Sequence, residues 1–231
     1  MTGLEANFSK TCLYSVKMGE LPNLVVAAAT LNCFAGLLPV TYLGLPISGR
    51  RPRRQEWEGL ILKVCRRLSL WKVRHLSLGG RLTMVNSVLM TLPTYWMAMF
   101  KLSKWVTRDI DRIMRDFLWS GPDLEHPGCR LVKWQSLFRA HDQGGWGILD
   151  LTNFNRVLLG KWRWKFATNL NWSGVDIILF NYGGMHWNLF PRETRRISYF
   201  WKGVIGYLPP FRCCTFHVTS SGAETFFWKD R

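Results

Sequence analysis

The sequence RRPRRQEWEGLILKVCRRLSLWKVRHLSLGGRLTMVNSVLMTL, residues 50–92, decides the fold of this chain. It combines the densest positive charge of the chain with a helical pattern of apolar residues. The apolar positions of its first half recur at helical intervals and are Trp57, Leu60, Ile61, Val64, Leu68 and Trp71. At about 100° per residue they fall within roughly 60° of one line, which predicts an amphipathic helix with one buried face.

Basic residues occupy the other sides of this predicted helix and the stretch before it. Those on the helix are Lys63, Arg66, Arg67 and Arg74, and those before or at its start are Arg50, Arg51, Arg53 and Arg54. Because Pro52 disfavours helical backbone at the residue before it, we expect the helix to run from about Arg54 to Arg74.

A helix with a cationic face has three interpretations that the residues of the helix leave open. The face can be a solvated surface, a contact for nucleic-acid phosphates, or a contact for an anionic membrane. The net charge of +16 over 231 residues favours a polyanionic partner. Thirteen tryptophans interleaved with Arg and Lys suit base stacking, although most large aromatic side chains of a folded protein lie in the core.

The cysteines and the apolar segments of the sequence indicate where in the cell the protein is located. The six cysteines form no CxxC pair and no zinc-finger spacing, so we expect mostly buried, reduced thiols and no metal site. The start of the chain has no basic region leading into an apolar stretch, which argues against a secretory signal. The apolar residues 24–40 are too few and too interrupted to cross a membrane. We therefore expect an intracellular protein, in the nucleus or the cytoplasm, that is not secreted.

The patterns predict a mainly α fold with a small β hairpin or edge element at residues 37–47. Beyond the basic helix, we expect helical segments at residues 24–32, 77–93, 104–119, 134–139, 152–166 and 195–205. Pro93 should end or kink the helix predicted at residues 77–93. Residues 144–147, GGWG, should form a tight turn. A short strand is expected at residues 225–228.

Two local features have both a functional and a structural interpretation. Ser77 can cap a helix whose first turn contains Gly79, Gly80 and Arg81, and such a turn either holds a phosphate or is a plain turn. Asp109 and Asp111 diverge by about 200° on a helix, so they cannot share a metal ion, and we interpret them as partners of neighbouring arginines.

Several blocks of the sequence follow one another in a specific order. The first two are YLGLP at 42–46 and WEGLILKVCRRLSLWKVRHLSLGGRLTMVNSVL at 57–89. They are followed by LPTYWMAMF at 92–100, IDRIMRDFLWSG at 110–121, LVKW at 131–134, GGWGILDL at 144–151 and LLGKWRWKF at 158–166. In this order the blocks resemble the reverse transcriptases of plant non-LTR (LINE-type) retrotransposons. The segment GLEANFSK at 3–10 resembles the stretch just after the family's catalytic motif, and Lys10 matches a family lysine. FWKGV at 200–204 and TFFWKDR at 225–231 resemble the stretch before its zinc-binding region.

This resemblance implies three parts of the chain. Residues 1–50 would be a remnant of the polymerase palm with a primer-grip-like turn at Tyr42, Leu43 and Gly44. Residues 51–168 would be a basic, helical, thumb-like domain. Residues 169–231 would be an aromatic-rich, partly ordered segment truncated before the zinc-binding region.

The resemblance also implies what the chain lacks. The family's palm carboxylates hold two Mg²⁺ ions for nucleotidyl transfer, and they would lie upstream of Met1. We therefore expect no catalytic residue, no metal site, no cofactor and no enzymatic activity in the isolated chain, while the intact family enzyme is an RNA-directed DNA polymerase that uses Mg²⁺.

The expected partner is an RNA or DNA duplex or hybrid, bound without sequence preference and without a small-molecule substrate or a membrane; the oligomeric state is left open. The residues expected to bind nucleic acid are Arg53, Arg54, Lys63, Arg66, Arg67, Lys72, Arg74 and Arg81. Two alternatives stay open at this point. One is a domesticated nucleic-acid-binding module, and the other is a pseudogene product that folds poorly and leaves apolar surface exposed at residues 24–47.

Overall fold

Helices dominate the computed structural model, which describes residues 7–15, 21–48, 50–69, 76–120, 130–168 and 197–206. The chain divides into two compact units, Met1–Glu56 and Trp57–Arg231. The strands of the described residues form two small pairs, both in the first unit. The prediction of a mainly α fold with a small β element near the N-terminus is thus confirmed.

The first unit begins with a strand–helix–strand crossover that the sequence patterns did not predict. A 3₁₀ turn at Phe8–Lys10 precedes β1 (Cys12–Tyr14), and α1 (Leu21–Thr30) leads to β2 (Phe34–Gly36). β1 and β2 pair in parallel. Each strand has three residues, which is too short for a period-2 pattern to be recognised in the sequence.

The second strand pair is a hairpin, one of the two forms expected for the β element between residues 37 and 47. β3 (Val40–Tyr42) and β4 (Leu45–Ile47) pair antiparallel through a two-residue turn. The turn residues Leu43 and Gly44 have φ values of 49° and 83°. Two successive positive φ values are typical of a type I′ turn, whose twist matches that of the flanking strands.

The described residues of the second unit are mostly helical. The helices are α2 (Arg54–Ser69, which begins just before the unit boundary), α3 (Leu78–Met84), α4 (Thr91–Met99), α5 (Lys104–Ser120), α6 (Leu151–Thr168) and α7 (Tyr199–Ile205). The predicted end of the basic helix at Arg74 and the strand at 225–228 lie outside the described residues. The Oγ of Ser77 accepts a hydrogen bond from Gly80 N (3.2 Å), which confirms Ser77 as the cap of α3.

Of the two outcomes predicted for Pro93, an end or a kink of its helix, the helix end does not occur. A π-helical segment at Val85–Leu89 separates α3 from α4, and Met90 N donates to Val85 O five residues back. This shift restarts the helix at Thr91, so Pro93 falls in the first turn of α4. A first-turn proline is tolerated because its missing N–H would have no partner there.

Aromatic side chains join α2 to α4. The ring centroids of Trp57 and Trp96 are 5.1 Å apart, and Phe100 lies 6.2 Å from Trp57 and 5.9 Å from Trp96. Trp57 and Trp96 are both buried. The predicted apolar stripe of α2 therefore faces the core, with Leu60 and Val64 also buried.

Asn155 on α6 fastens the connection between α4 and α5. Its Nδ2 donates to Met97 O (2.7 Å) and Phe100 O (2.9 Å), and its Oδ1 accepts from Leu102 N (3.0 Å). The last carbonyls of a helix have no partner within that helix, so a buried amide that reaches them stabilises the chain reversal. Asn155 is 4% exposed, so water cannot easily substitute for these contacts.

The turn before α6 is built by glycine, as expected from GGWG. Gly144 and Gly147 have positive φ values of 75° and 65°, and a Cβ on Gly145 would collide with the backbone of Arg139. Asp150 then caps α6, with its Oδ1 accepting from Thr152 N at 2.8 Å.

The described part of the C-terminal segment packs on α6. Ile197, Trp201 and Val204 form a buried cluster with Leu159 of α6. Ser198 caps α7 by accepting from Trp201 N (3.3 Å). Residues 169–196 and 207–231 lie outside the described residues, so the predicted three-part division of the chain stays a prediction.

The cysteines of the described residues differ from the expectation of mostly buried thiols. Cys12, Cys33 and Cys65 are free; the first two are half-buried and Cys65 is exposed. The position of Cys65 follows from the helical period, which places it outside the buried stripe of α2. The other three cysteines lie outside the described residues.

Replacing Asn155 by alanine should destabilise the second unit by about 3 kcal/mol, because buried backbone groups of the α4–α5 connection lose their partners. Asn153→Ala is the matched control, since Asn153 lies on the same helix and is exposed. Urea unfolding followed by far-UV circular dichroism measures both free energies. Equal losses for the two variants would contradict the role assigned to Asn155.

Candidate nucleic-acid interface

The sequence of α2 makes it a stable helix before any partner is considered. Glu56 in the first turn accepts a hydrogen bond from Arg53 N through its Oε2, which satisfies one of the orphan donors at the helix start. Arg66 and Arg67 lie in the last turn, where positive charge is favourable next to the helix dipole. Part of the charge pattern of α2 therefore has a purely structural use.

Lys63, Arg66 and Arg67 form an exposed surface on α2, which we name the cationic face. Helical periodicity places the three within an arc of about 100°, centred about 120° around the helix from the buried Trp57 and Val64. The core therefore fixes the direction in which the cationic face points. Like charges three and four residues apart cost the helix a few tenths of a kcal/mol per pair, and the favourable position of Arg66 and Arg67 in the last turn offsets this cost.

The other residues expected to bind nucleic acid are distributed differently. Arg53 and Arg54 are exposed but belong to the first compact unit. Lys72 and Arg74 lie outside the described residues. The structure thus brings together three of the eight predicted residues on one described surface of the second unit.

Arg81 has a structural environment that the sequence did not indicate. Its Nη1 donates to Leu118 O (3.1 Å) and Trp119 O (3.4 Å) at the end of α5, and its Nε donates to Leu76 O (3.2 Å). The Leu118 and Trp119 carbonyls lie in the last turn of α5, where a helix leaves its acceptors without a partner in the helix. Because the half-buried guanidinium is directed at backbone carbonyls, we leave Arg81 out of the proposed interface.

The primer-grip-like residues lie in the hairpin turn of the first unit. Tyr42 is 61% exposed and Leu43 72% exposed, directly before Gly44. A leucine in the left-handed region costs roughly 1 kcal/mol, and such strain is a pointer to function when the turn is otherwise well formed. The turn presents two apolar side chains outward, and its role as a primer grip stays a prediction.

A second row of cations on α5 was not included among the predicted site residues. Lys104, Arg108 and Arg112 are all exposed and follow each other at four-residue intervals, about 6 Å apart along the helix. The signal was present in the sequence as this spacing.

Asp111 is directed at the protein interior rather than at this row. Burial raises the pKa of Asp111 to about 6. The Trp134 side chain lowers this pKa, the Asp150 carboxylate raises it and the Arg115 guanidinium lowers it.

Among the described residues, no group of three or more His, Cys, Asp or Glu side chains could hold a metal ion. No helix in the described ranges combines the length and the apolar character needed to cross a bilayer.

Comparison with known proteins shows that this chain is similar to two plant proteins. It is 26% identical over 190 residues to "Putative ribonuclease H protein At1g65750" of Arabidopsis thaliana, a match that covers 81% of this chain and 30% of that protein. It is 27% identical over 150 residues to "Uncharacterized mitochondrial protein AtMg00310" of the same plant, covering 62% of this chain and 92% of that protein. No family model matches the chain. These matches support the relationship to plant proteins that the sequence blocks imply. The assignment to a reverse transcriptase stays a prediction.

Replacing Asp111 by asparagine should make the protein less sensitive to rising pH. A carboxyl whose folded pKa is about 6 against an ordinary value of 3.8 binds its proton more tightly when folded, so its ionisation costs stability as the pH rises through this window. The thermal midpoint of Asp111→Asn relative to the wild type should therefore increase from pH 4 to pH 7. A difference that does not change with pH would show that Asp111 ionises without cost.

Proposed function

We propose that the chain is a fragment of a plant retrotransposon reverse transcriptase that binds duplex nucleic acid without sequence preference. The cationic face of α2 carries this proposal, since Lys63, Arg66 and Arg67 are exposed together on a helix whose other side is anchored in the core. A cationic helix of this kind contacts phosphates, which position a duplex but do not read its bases. RNA–DNA hybrid, RNA and DNA duplexes are all suitable partners for such a surface.

The charge of the whole chain supports a polyanionic partner. The excess of 31 Lys and Arg over 15 Asp and Glu gives the protein a positive field that attracts nucleic acid and accelerates encounter. Contacts between cations and phosphates release condensed counterions, so the affinity should fall steeply with salt.

A second candidate function is a binding module that acts apart from any polymerase. One observation favours it: the match to the mitochondrial protein covers 92% of that relative, so a similar segment makes up almost all of another protein. Both candidates use the cationic face in the same way, and they differ in whether a palm-bearing partner is needed.

Catalysis is not assigned to the isolated chain. Its sequence contains no Tyr-x-Asp-Asp run, the motif that carries metal-binding carboxylates in the family it resembles. Nucleotidyl transfer of this type needs carboxylates that hold two divalent ions.

Neutralising the cationic face should weaken duplex binding. For Lys63→Gln/Arg66→Gln/Arg67→Gln, we expect at least about a tenfold loss of affinity, and a salt dependence that is smaller by about 2 to 3 in slope, because each phosphate contact contributes about 0.9. Fluorescence anisotropy with a labelled 20-base-pair RNA–DNA hybrid, titrated between 50 and 300 mM NaCl, measures both quantities.

The matched control removes three charges elsewhere on the second unit. Lys101→Gln/Lys133→Gln/Lys202→Gln alters exposed cations outside α2 and lowers the net charge by the same amount. It should change the slope by less than about 1. If both variants lose the same affinity, bulk charge and not the cationic face is responsible.

Primer extension tests the absence of catalysis. The purified chain, incubated with oligo(dT) annealed to poly(rA), dTTP and Mg²⁺, should give no more DNA synthesis than a heat-inactivated sample. Mg²⁺-dependent synthesis by the chain alone would refute the proposal that it lacks polymerase activity.

A further inference from the structure

Trp164 differs from the other tryptophans in the described ranges. It is 56% exposed, whereas Trp57, Trp96, Trp119, Trp134 and Trp201 are buried, and Trp105, Trp146 and Trp162 are half-buried. A large indole contributes its full hydrophobic stabilisation only when it is removed from water. The fold thus uses its described tryptophans as core or boundary residues with the exception of this one.

The neighbouring Trp162 of α6, unlike Trp164, is directed inward and contacts other parts of the fold. Trp162 donates its Nε1–H to Ala98 O (3.0 Å) and packs against the Phe200 ring at 5.2 Å between centroids. Trp164 lies two residues later, about 200° further around the helix, and therefore points away from these contacts.

The surroundings of Trp164 on α6 are cationic. The helix contains four basic residues and no Asp or Glu. Arg163 is buried and donates to Val204 O (3.1 Å), so it is used by the fold. Arg156 and Lys161 are exposed, and Lys165 is half-buried with its Nζ 5.8 Å from the Trp162 ring.

The outward row of α6 alternates apolar and cationic side chains. Val157 (61% exposed), Lys161 and Trp164 follow at i, i+4 and i+7, so that Lys161 lies about one turn from each of the apolar residues. An aromatic face next to a lysine is the combination that accommodates a base and its phosphate.

We propose that Trp164 stacks on an unpaired base of single-stranded nucleic acid, with Lys161 at the adjacent phosphate. A base in a duplex is already stacked on both sides, so an indole on a convex helix surface reaches bases only where a strand is unpaired. This activity goes beyond duplex binding by the cationic face and does not depend on it.

A membrane surface fits this part of α6 less well. Helices that bind membranes bury a broad, continuous apolar face in the interface. Here the exposed apolar residues Val157 and Trp164 are separated by Lys161, and the inward side of α6 is occupied by the core. The charge and the isolated aromatic therefore favour a single strand.

The test compares a strand that has bases with one that has none. Wild-type protein should bind fluorescein-labelled dT20 more tightly than a 20-mer of abasic sites with the same phosphates. Trp164→Ala should lower the affinity for dT20 by about 5- to 150-fold, the range for loss of one stacked base, and should bind the two strands alike. Its affinity for the RNA–DNA hybrid should change less than about twofold.

Three further variants make the result specific to stacking. Trp164→Phe should keep the affinity for dT20 within about threefold of wild type, and Trp164→Leu, which keeps apolar bulk without a π face, should behave like Trp164→Ala. Tyr95→Ala is the matched control, since Tyr95 is an aromatic residue of α4 that is 45% exposed. Tyr95→Ala should leave the affinity for dT20 and for the abasic strand unchanged.

Several outcomes would overturn the inference. Unchanged binding of dT20 by Trp164→Ala is one, and equal affinities of the Leu and Phe variants are another, because the contact would then be merely apolar. Loss of binding to vesicles of phosphatidylcholine and phosphatidylserine (7:3), with binding to dT20 intact, would assign Trp164 to a membrane.

The binding experiments distinguish a failure of the proposed function from a failure of this inference. If Lys63→Gln/Arg66→Gln/Arg67→Gln leaves hybrid binding intact while Trp164→Ala loses the preference for dT20 over the abasic strand, duplex binding by the cationic face is wrong and base stacking stands. The reverse result would retain the proposed function and remove the stacking site.

Discussion

The amide of Asn155 is the contact on which the arrangement of the second unit depends. Its three hydrogen bonds reach both sides of the α4–α5 connection from a single position on α6. They fix where α5 begins and how α6 lies against α4, because a buried polar group tolerates few alternative geometries. Trp162 adds a fourth link to the same region through Ala98 O. The helix that carries Trp164 is therefore held against α4 by side chain to backbone contacts, whereas the helix that carries the cationic face is joined to α4 by aromatic packing.

The basic residues of the chain have two different kinds of use. Arg81 and Arg163 donate to backbone carbonyls at or near helix ends, where they satisfy acceptors that the helices leave open. Lys63 and Lys161 remain at the surface and give α2 and α6 their external charge. The net charge of the sequence thus overstates the charge available to a partner, and a buried or bound guanidinium has to be subtracted from any predicted interface.

The first unit exposes much of its apolar surface, which bears on the alternative of a poorly folding product. Val25, Val26, Phe34 and Leu37 are all more than half exposed. Short strands and a ten-residue helix bury little area, so this unit gains little hydrophobic stabilisation of its own. The expectation of exposed apolar surface at residues 24–47 agrees with these positions.

The local pattern of the sequence alone determined the helix class, most helix positions, the presence of a small β element at residues 37–47 and the buried stripe of α2, because these follow from local spacing and turn chemistry. It also placed Lys63, Arg66 and Arg67 away from that stripe. Only the tertiary structure decided that the helix passes through Pro93, that Arg81 is directed at the end of α5, and that Trp164 is exposed while Trp162 is not. These outcomes depend on which helices contact each other. Arg81 and Leu118 are 37 positions apart and Trp162 and Ala98 are 64 positions apart, so a local sequence pattern cannot predict their contacts.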